Sequence, residues 1–420
     1  MDKQKKIIIL HPTGNMNTRA AAAGFHKANI LTCFYTCIAC FEHSFLYHLS
    51  SIHFLKEFRR RLFDKSLEGI TCTHPWREIG RQIMMKLKWV RALNHETGYF
   101  CIDKVYQDLD SYVAHCIHKH HEHIHAVYAY EDCALRTFQE AKRHQKYCLY
   151  DLPIGYWRSM RKLLKEEQQC NPEWAMTLGG FSDSEAKLRR KDAELALADK
   201  IYVASSFTKQ TLKLYPGTLA DIEVIPYGFP PINRHRTYQS FDGRKIKVLF
   251  VGGLSQRKGI SYLFESLEGL EHEIELTVVG RGDIEKCPIL KKKLQKANYI
   301  PSLPHDAILK LMAEHDLLIF PSLFEGFGLV ITEAMSQGTP VITTERTCGP
   351  DIITHGKDGW IVKAGSAQPI RELLEQFISN PMILQEVGRN ALKTASSRPW
   401  PCYEQELATS VNTFLHGNTL

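Results

Sequence analysis

"FPSLFEGFGLVITEAMSQGTPVITT", residues 320–344, reads as the end of a buried strand, a glycine-flanked turn, a helix and a second buried strand. Gly326 and Gly328 let the chain turn tightly, and the apolar spacing that follows predicts a helix over 328–337. Gly338 suits a left-handed helix stop, and Pro340 prevents continuation. The helix start supplies unpaired backbone N–H groups and the positive end of a dipole, which is an anion site. Two carboxylates bracket that site, Glu325 before the turn and Glu333 in the second helical turn. Carboxylates repel phosphate but match paired hydroxyls, so the ligand implied has an anionic middle and polyol ends. The competing reading gives Glu325 to the helix dipole, worth ~0.3–1 kcal/mol, and Glu333 to a solvated face.

The same rhythm extends outward. Strands are predicted at 247–254, 274–282, near Tyr299, and at 317–322, 340–344 and 360–363. Helices are expected at 258–270, 290–297, 305–316 and 370–380 between them, with one more after Arg398. Apolar runs alternating with amphipathic helices mean a parallel sheet covered on both faces. The first half opens alike, with strands at 5–12, 30–36, 125–132 and 146–153 and an irregular basic stretch between. The Pro- and Gly-dense 224–236 is the expected hinge. The expected architecture is α/β, two Rossmann-like domains facing across a cleft: 1–226, 227–395, and a terminal helix in 396–420 crossing back to the first domain.

Arg257 and Lys258 fall where the strand at 247–254 meets its helix, at the carboxyl edge where such sheets bind ligands. In the first domain, Gly14 and Asn15 follow the first strand. Residues 1–220 carry 32 Lys/Arg against 23 Asp/Glu, and the remainder 21 against 23, so the net +7 is a first-half excess that points to an anionic partner. It is too dilute for a nucleic-acid binder, and no such motif is present. The positive start holds only four apolar residues before His11, too few for a signal peptide, and no run reaches a membrane span. Twelve cysteines without a paired framework fit a reducing cytoplasm.

With "FVGGLSQRKG" and "VIPYG" upstream and "DGWIVK" downstream, the quoted stretch resembles the retaining glycosyltransferases of family 4, which have the GT-B fold. The likeness is dense from Val224 to Lys363 and looser over 1–215. It implies transfer of a hexose from a nucleotide-diphosphate sugar to a glycan or lipid-linked acceptor, with retention, as in polysaccharide biosynthesis. It implies that Glu325 contacts the donor sugar and Glu333 the ribose. The backbone of Gly326, Phe327, Gly328 and Leu329 would face sugar and phosphates, with Lys258 neutralising the phosphates. The family often has an arginine four or five residues before that lysine; Gly253 stands there, and Arg257 is the expected substitute. Gly14 and Asn15 would approach the donor phosphates. The family's sugar-facing histidine is absent from "LYDLPIGYWR", which leaves Asp151 to orient the acceptor or to cap a turn. No cofactor or metal is implied. The same fold also serves nucleotide-sugar 2-epimerases, sugar phosphorylases and non-catalytic binders.

Three further signals stand apart. Cys33, Cys37 and Cys40 have the spacing of a cluster-binding triplet but lie where a strand runs into a helix, and read as buried thiols. The run "HCIHKHHEHIH", 115–125, reads as a polar helix-to-strand junction rather than a zinc site. Basic, aromatic segments 53–67 and 81–93 are expected to form amphipathic helices, packed on the first domain or offered to anionic lipid at the inner membrane face.

Overall fold

The computed structural model describes residues 5–42 and 61–417. Seven strands form the first sheet: β1 (Ile7–Leu10), β2 (Leu31–Thr36), β3 (Thr71–Thr73), β4 (Ala126–Tyr130), β5 (Tyr147–Leu152), β6 (Lys200–Val203) and β7 (Ile222–Val224). Their order is β3-β2-β1-β4-β5-β6-β7, all neighbours parallel. Six more form the second: β8 (Ile246–Val251), β9 (Ile274–Val279), β10 (Asn298–Ile300), β11 (Leu317–Phe320), β12 (Val341–Thr344) and β13 (Trp360–Val362). These run β10-β9-β8-β11-β12-β13, again parallel. The order reverses after β1 in one sheet and after β8 in the other, and the turns leaving those two strands carry Gly14 and Arg257–Lys258.

Central strands are apolar on both faces because helices cover both; β1, β4 and β11 have every side chain buried. The helix Leu329–Ser336 ends as its sequence implies. Gly338 has φ +75°, its N–H bonds Met335 O, and the N–H of Thr339 bonds Ala334 O at 3.0 Å. The chain then returns: the helix Trp400–Gly417 packs on the helix Met16–Lys27, so closely that a Cβ on Gly24 would lie 2.4 Å from Glu404 O. Side chains also bind the domains together. Phe324 meets Phe207 edge-to-face at 5.4 Å, and Glu167 accepts from Tyr262 and from Gln256 Nε2 at 2.7 Å.

Two expectations need correction. Residues 81–93 are not one helix: Trp76–Lys86 ends there, and a separate turn follows at Val90–Leu93. Lys88 adopts φ +54°, with the N–H of Trp89 bonding Met84 O and its own bonding Met85 O, which closes the helix without a glycine. Helix 258–270 starts later, at Ile260, after a 3₁₀ turn Gln256–Lys258 and a left-handed Gly259. Of the expected helix 53–67, residues 53–60 lie outside the described residues, and a 3₁₀ turn occupies Lys65–Ile70. Cys33, Cys37 and Cys40 are buried. No helix among the described residues is long and apolar enough to cross a membrane.

Candidate active site in the interdomain cleft

Gly328 opens its helix in the left-handed region, φ +94°, with its Cα hydrogens against Ile331, Phe320 and Glu325. That contact places Glu325 directly behind the turn. Lys258 Nζ donates to Glu325 Oε2, and Arg257 Nη1 stands 3.6 Å from the same oxygen while donating to Phe324 O at 2.8 Å. Gly259 makes this possible: a Cβ there would lie 2.0 Å from Pro321 O, so the 3₁₀ turn sits flush on the end of β11. Burial pulls the Lys258 ammonium below its ordinary value; Glu325 opposes the shift and Arg257 adds to it. Sequence-distant Arg257, Lys258 and Glu325 thus form one buried-edge cluster.

Gly326 has a different neighbour. Its Cβ position lies 1.9 Å from Pro153 O of the first domain, and its carbonyl accepts from Ser205 Oγ and Thr208 Oγ1 at 2.6 and 3.0 Å. The turn is therefore docked across the domain boundary. Phe327 is buried against Tyr227, with ring centroids 4.8 Å apart, so only its backbone can face a ligand.

A cleft of about 840 Å³ lies between the domains. Gly14 and Asn15 line one wall and Leu329 the other, so these three candidates meet. Sequence reasoning missed the residue that shapes the first wall. His11 is buried, and its Nδ1 accepts from the N–H groups of Thr13 and Gly14 at 3.1 and 3.0 Å. Burial, with Arg61 nearby, pulls its pKa to about 3, so the ring is neutral and keeps that acceptor. Asn15 Oδ1 accepts from Thr13 Oγ1 at 2.9 Å. Arg19, Arg61, Arg81 and Arg281 also line the cleft, and none was singled out from sequence.

Arg257, Lys258, Glu325 and the turn Gly326–Gly328 adjoin the cleft through Leu329 without lining it, and Glu333 and Asp151 stand apart from both. Glu333 accepts from His305 Nε2 at 3.0 Å on the outer side of its helix. Asp151 lies within β5, one residue before its end, rather than capping a turn, and is buried with Tyr128 Oη donating to it at 2.7 Å. Burial raises its pKa to about 7 against the pull of the tyrosine hydroxyls. In the histidine run, His118 meets Glu140 and His144, on helices that lead into β4 and β5.

Two parallel-sheet Rossmann-like domains across such a cleft are the GT-B fold, and solved glycosyltransferase structures match nearly the whole chain. Sucrose-phosphate synthase from Thermosynechococcus elongatus has TM-score 0.66 at 15% identity, covering 99% of this chain and 100% of that one. HepE of Anabaena, solved with UDP and glucose, has TM-score 0.62 at 16% identity, covering 97% and 100%. Residues 232–394, which hold all six strands of the second sheet, match the family model described as Glycosyl transferases group 1. By sequence, the amylovoran biosynthesis glycosyltransferase AmsK of Erwinia amylovora is 29% identical over 142 residues, 31% of this chain and 35% of that protein. Such matches take in only 35% to 56% of the curated relatives' own length.

Proposed function

We propose that the chain is a retaining glycosyltransferase of family 4 that moves a hexose from a nucleoside-diphosphate sugar to a glycan or lipid-linked acceptor. The observation that carries this reading is the convergence of Lys258 and Arg257 on Glu325 behind a glycine turn that borders the interdomain cleft. The diphosphate draws on the charge of Lys258 and Arg257 and on the N–H groups opening the helix at Leu329. Glu325, released from its lysine, holds hydroxyls of the sugar, and Glu333 takes the ribose in place of His305. Gly14 and Asn15 close over the phosphates from the first domain. As the anomeric C–O bond to the diphosphate breaks and the acceptor oxygen bonds the same face, the acceptor's hydroxyl proton passes to the departing phosphate oxygen and the cations stabilise the remaining charge. Asp151, buried against Tyr128 and away from the cleft lining, has a positioning role only. The same setting favours work at the cytoplasmic face of a membrane, where nucleotide sugars and lipid acceptors meet.

HepE was solved with UDP and glucose, so UDP-sugars come first in the test, followed by GDP- and ADP-sugars. The assay is release of nucleoside diphosphate without acceptor, with Glu325→Ala and Glu333→Ala beside the parent chain. We expect slow hydrolysis of one donor, lowered ~10²-fold or more by Glu325→Ala, as for other transition-state contacts. Silence across the panel, with no thermal stabilisation by any nucleotide, would reject the reading. Binding without turnover, even with acceptors supplied, would leave a nucleotide-sugar binder instead.

A further inference from the structure

The cleft carries a set of cations that the donor reading does not use, in the same cavity as Gly14, Asn15 and Leu329. Thirteen of the described residues line the cleft; Arg19, Arg61, Arg81, Lys86 and Arg281 are among them, and none of the thirteen is acidic. Beneath them Glu78 is fully buried and accepts from Arg61 Nη2 at 2.6 Å and from Arg81 Nε and Nη2 at 2.7 and 2.8 Å. Burial alone would raise the Glu78 carboxyl; Arg81 and Arg61 outweigh it and hold the group below its ordinary range. One carboxylate thus orients two guanidinium groups and neutralises only one of them. Arg19 adds a third: Nη1 donates to Leu62 O at 2.8 Å, while its buried Nε has no acceptor among the described residues. Fixed guanidinium forks from separate elements match the oxygens of a phosphate.

The site does not stop at charge. Arg81 Nη1 also contacts Met85 Sδ at 3.0 Å, and Met85 both lines the cleft and is half exposed. From there the surface turns apolar. Of fourteen large hydrophobic side chains exposed among the described residues, nine fall in 76–102, including Ile83, Leu87, Trp89 and Val90, the last 70% exposed. An exposed apolar concentration of this kind, beside a polar pocket, marks a binding surface. The same window has five Lys/Arg against two acids, and one of those acids is the buried Glu78. Charge and apolar surface therefore lie end to end, and one molecule with both characters fits both.

We propose that the acceptor is an anionic amphiphile, with a phosphate held by Arg19, Arg61 and Arg81 and a hydrocarbon chain lying along Met85, Leu87, Trp89 and Val90. This rests on the donor reading above and names its acceptor class. The donor's own diphosphate is the other source of phosphate for these arginines, and the test separates the two.

Full-length protein saturated with UDP, or with the diphosphate selected by the donor panel, is titrated with dodecyl phosphate, inorganic phosphate and dodecyl maltoside, each below micelle formation. We expect dodecyl phosphate to bind at least ~10-fold tighter than either control. Arg81→Gln should bring it to the level of the maltoside, and Trp89→Ser, a surface change remote from Glu78, should weaken it several-fold. Nucleotide affinity of each variant, measured in the same samples, reports that the fold is intact. Equal affinity for dodecyl phosphate and dodecyl maltoside would overturn the proposal, as would competition between dodecyl phosphate and the nucleotide. Dodecyl phosphate preference without any nucleotide binding would support this site and overturn the donor reading instead.

Discussion

Two glycines bracket Phe327, and each is a glycine for its own physical reason. Gly328 needs the left-handed region at φ +94°, where an L side chain costs roughly 1–2 kcal/mol. Gly326 has an ordinary backbone but no room, because the first domain's Pro153 carbonyl occupies its Cβ position. Sequence shows the first need, since a G-x-G turn before a helix is a local pattern. It does not show the second, because Pro153 lies far away in the chain. Asp151 has the same history: its identity was legible, its burial was not. That burial has a consequence. The folded-state pKa of about 7 lies above the ordinary carboxyl value, so between about pH 4 and 7 the folded chain holds a proton the unfolded chain has lost. The contribution to stability is full below that window and is lost as pH rises through 7, at up to ~1.4 kcal/mol per pH unit. Glu194, raised by burial to about 8, acts in the same direction, while His11, lowered to about 3, favours the fold above about pH 6.5. Asp151→Asn keeps an acceptor for Tyr128 and removes one titration. Urea denaturation at pH 5 and pH 8 should show the variant gaining on the parent at the higher pH. An equal difference at both would mean that Asp151 is ionised in the fold.

At the scale of elements, long apolar strands and helices with strong stops were readable, and short or laterally defined ones were not. β3 and β7 have three residues each, Thr-Cys-Thr and Ile-Glu-Val, and are strands only because β2 and β6 present open edges to them. The helix Met382–Ser397 does not stand out in sequence because it follows the helix Gln368–Ser379 after only Asn380 and Pro381 and carries Gly388 in its interior, which weakens the helical pattern. Lys88 broke an expected helix because a left-handed lysine leaves no compositional trace. Helix contacts across the fold are likewise invisible in sequence, and one of them invites a test. Gly24 lets the helix Met16–Lys27 touch the backbone of Trp400–Gly417, with Lys27 and Glu404 paired at 2.6 Å beside the contact. Gly24→Leu forces the two helices apart, and overpacking of this kind costs ~1–3 kcal/mol. Denaturant unfolding should register that loss, whereas Lys27→Ala, which removes only an exposed partner, should change stability by ~1 kcal/mol or less. Equal effects would mean that the terminal helix is held by charge and not by close packing.

At the scale of the molecule, composition located the basic excess in the first half but not its use. Arg19, Arg61 and Arg81 converge within the first domain, through Leu62 and Glu78, and Arg281 joins them from the second domain; no spacing rule connects them. The two passages between domains also lie side by side, which defines where the molecule can bend. Phe229 N–H bonds Arg398 O at 2.9 Å, and Arg398 Nη2 donates to Pro226 O at 2.7 Å while Nη1 holds Glu406. Gly228 allows the contact, since a Cβ there would sit 2.4 Å from Trp400 Cα. Arg398 thus ties the outgoing chain to the returning one at a two-stranded hinge. Cleft closure needs that pair to turn as a unit, and hinge residues typically alter kcat and KM together. Removing Arg398 frees a carbonyl and a carboxylate that each held a charge-assisted bond, of ~1.5–3 kcal/mol. Arg398→Ala should lower kcat/KM for donor turnover by about tenfold, the rate equivalent of ~1.4 kcal/mol, with both constants moving. If the proposed donor reading holds, small-angle scattering should show the parent chain compact on nucleotide binding and the variant lose that compaction. If only KM rises and the compaction persists, closure turns about some other point, and the paired crossings are a structural seam with no part in the motion.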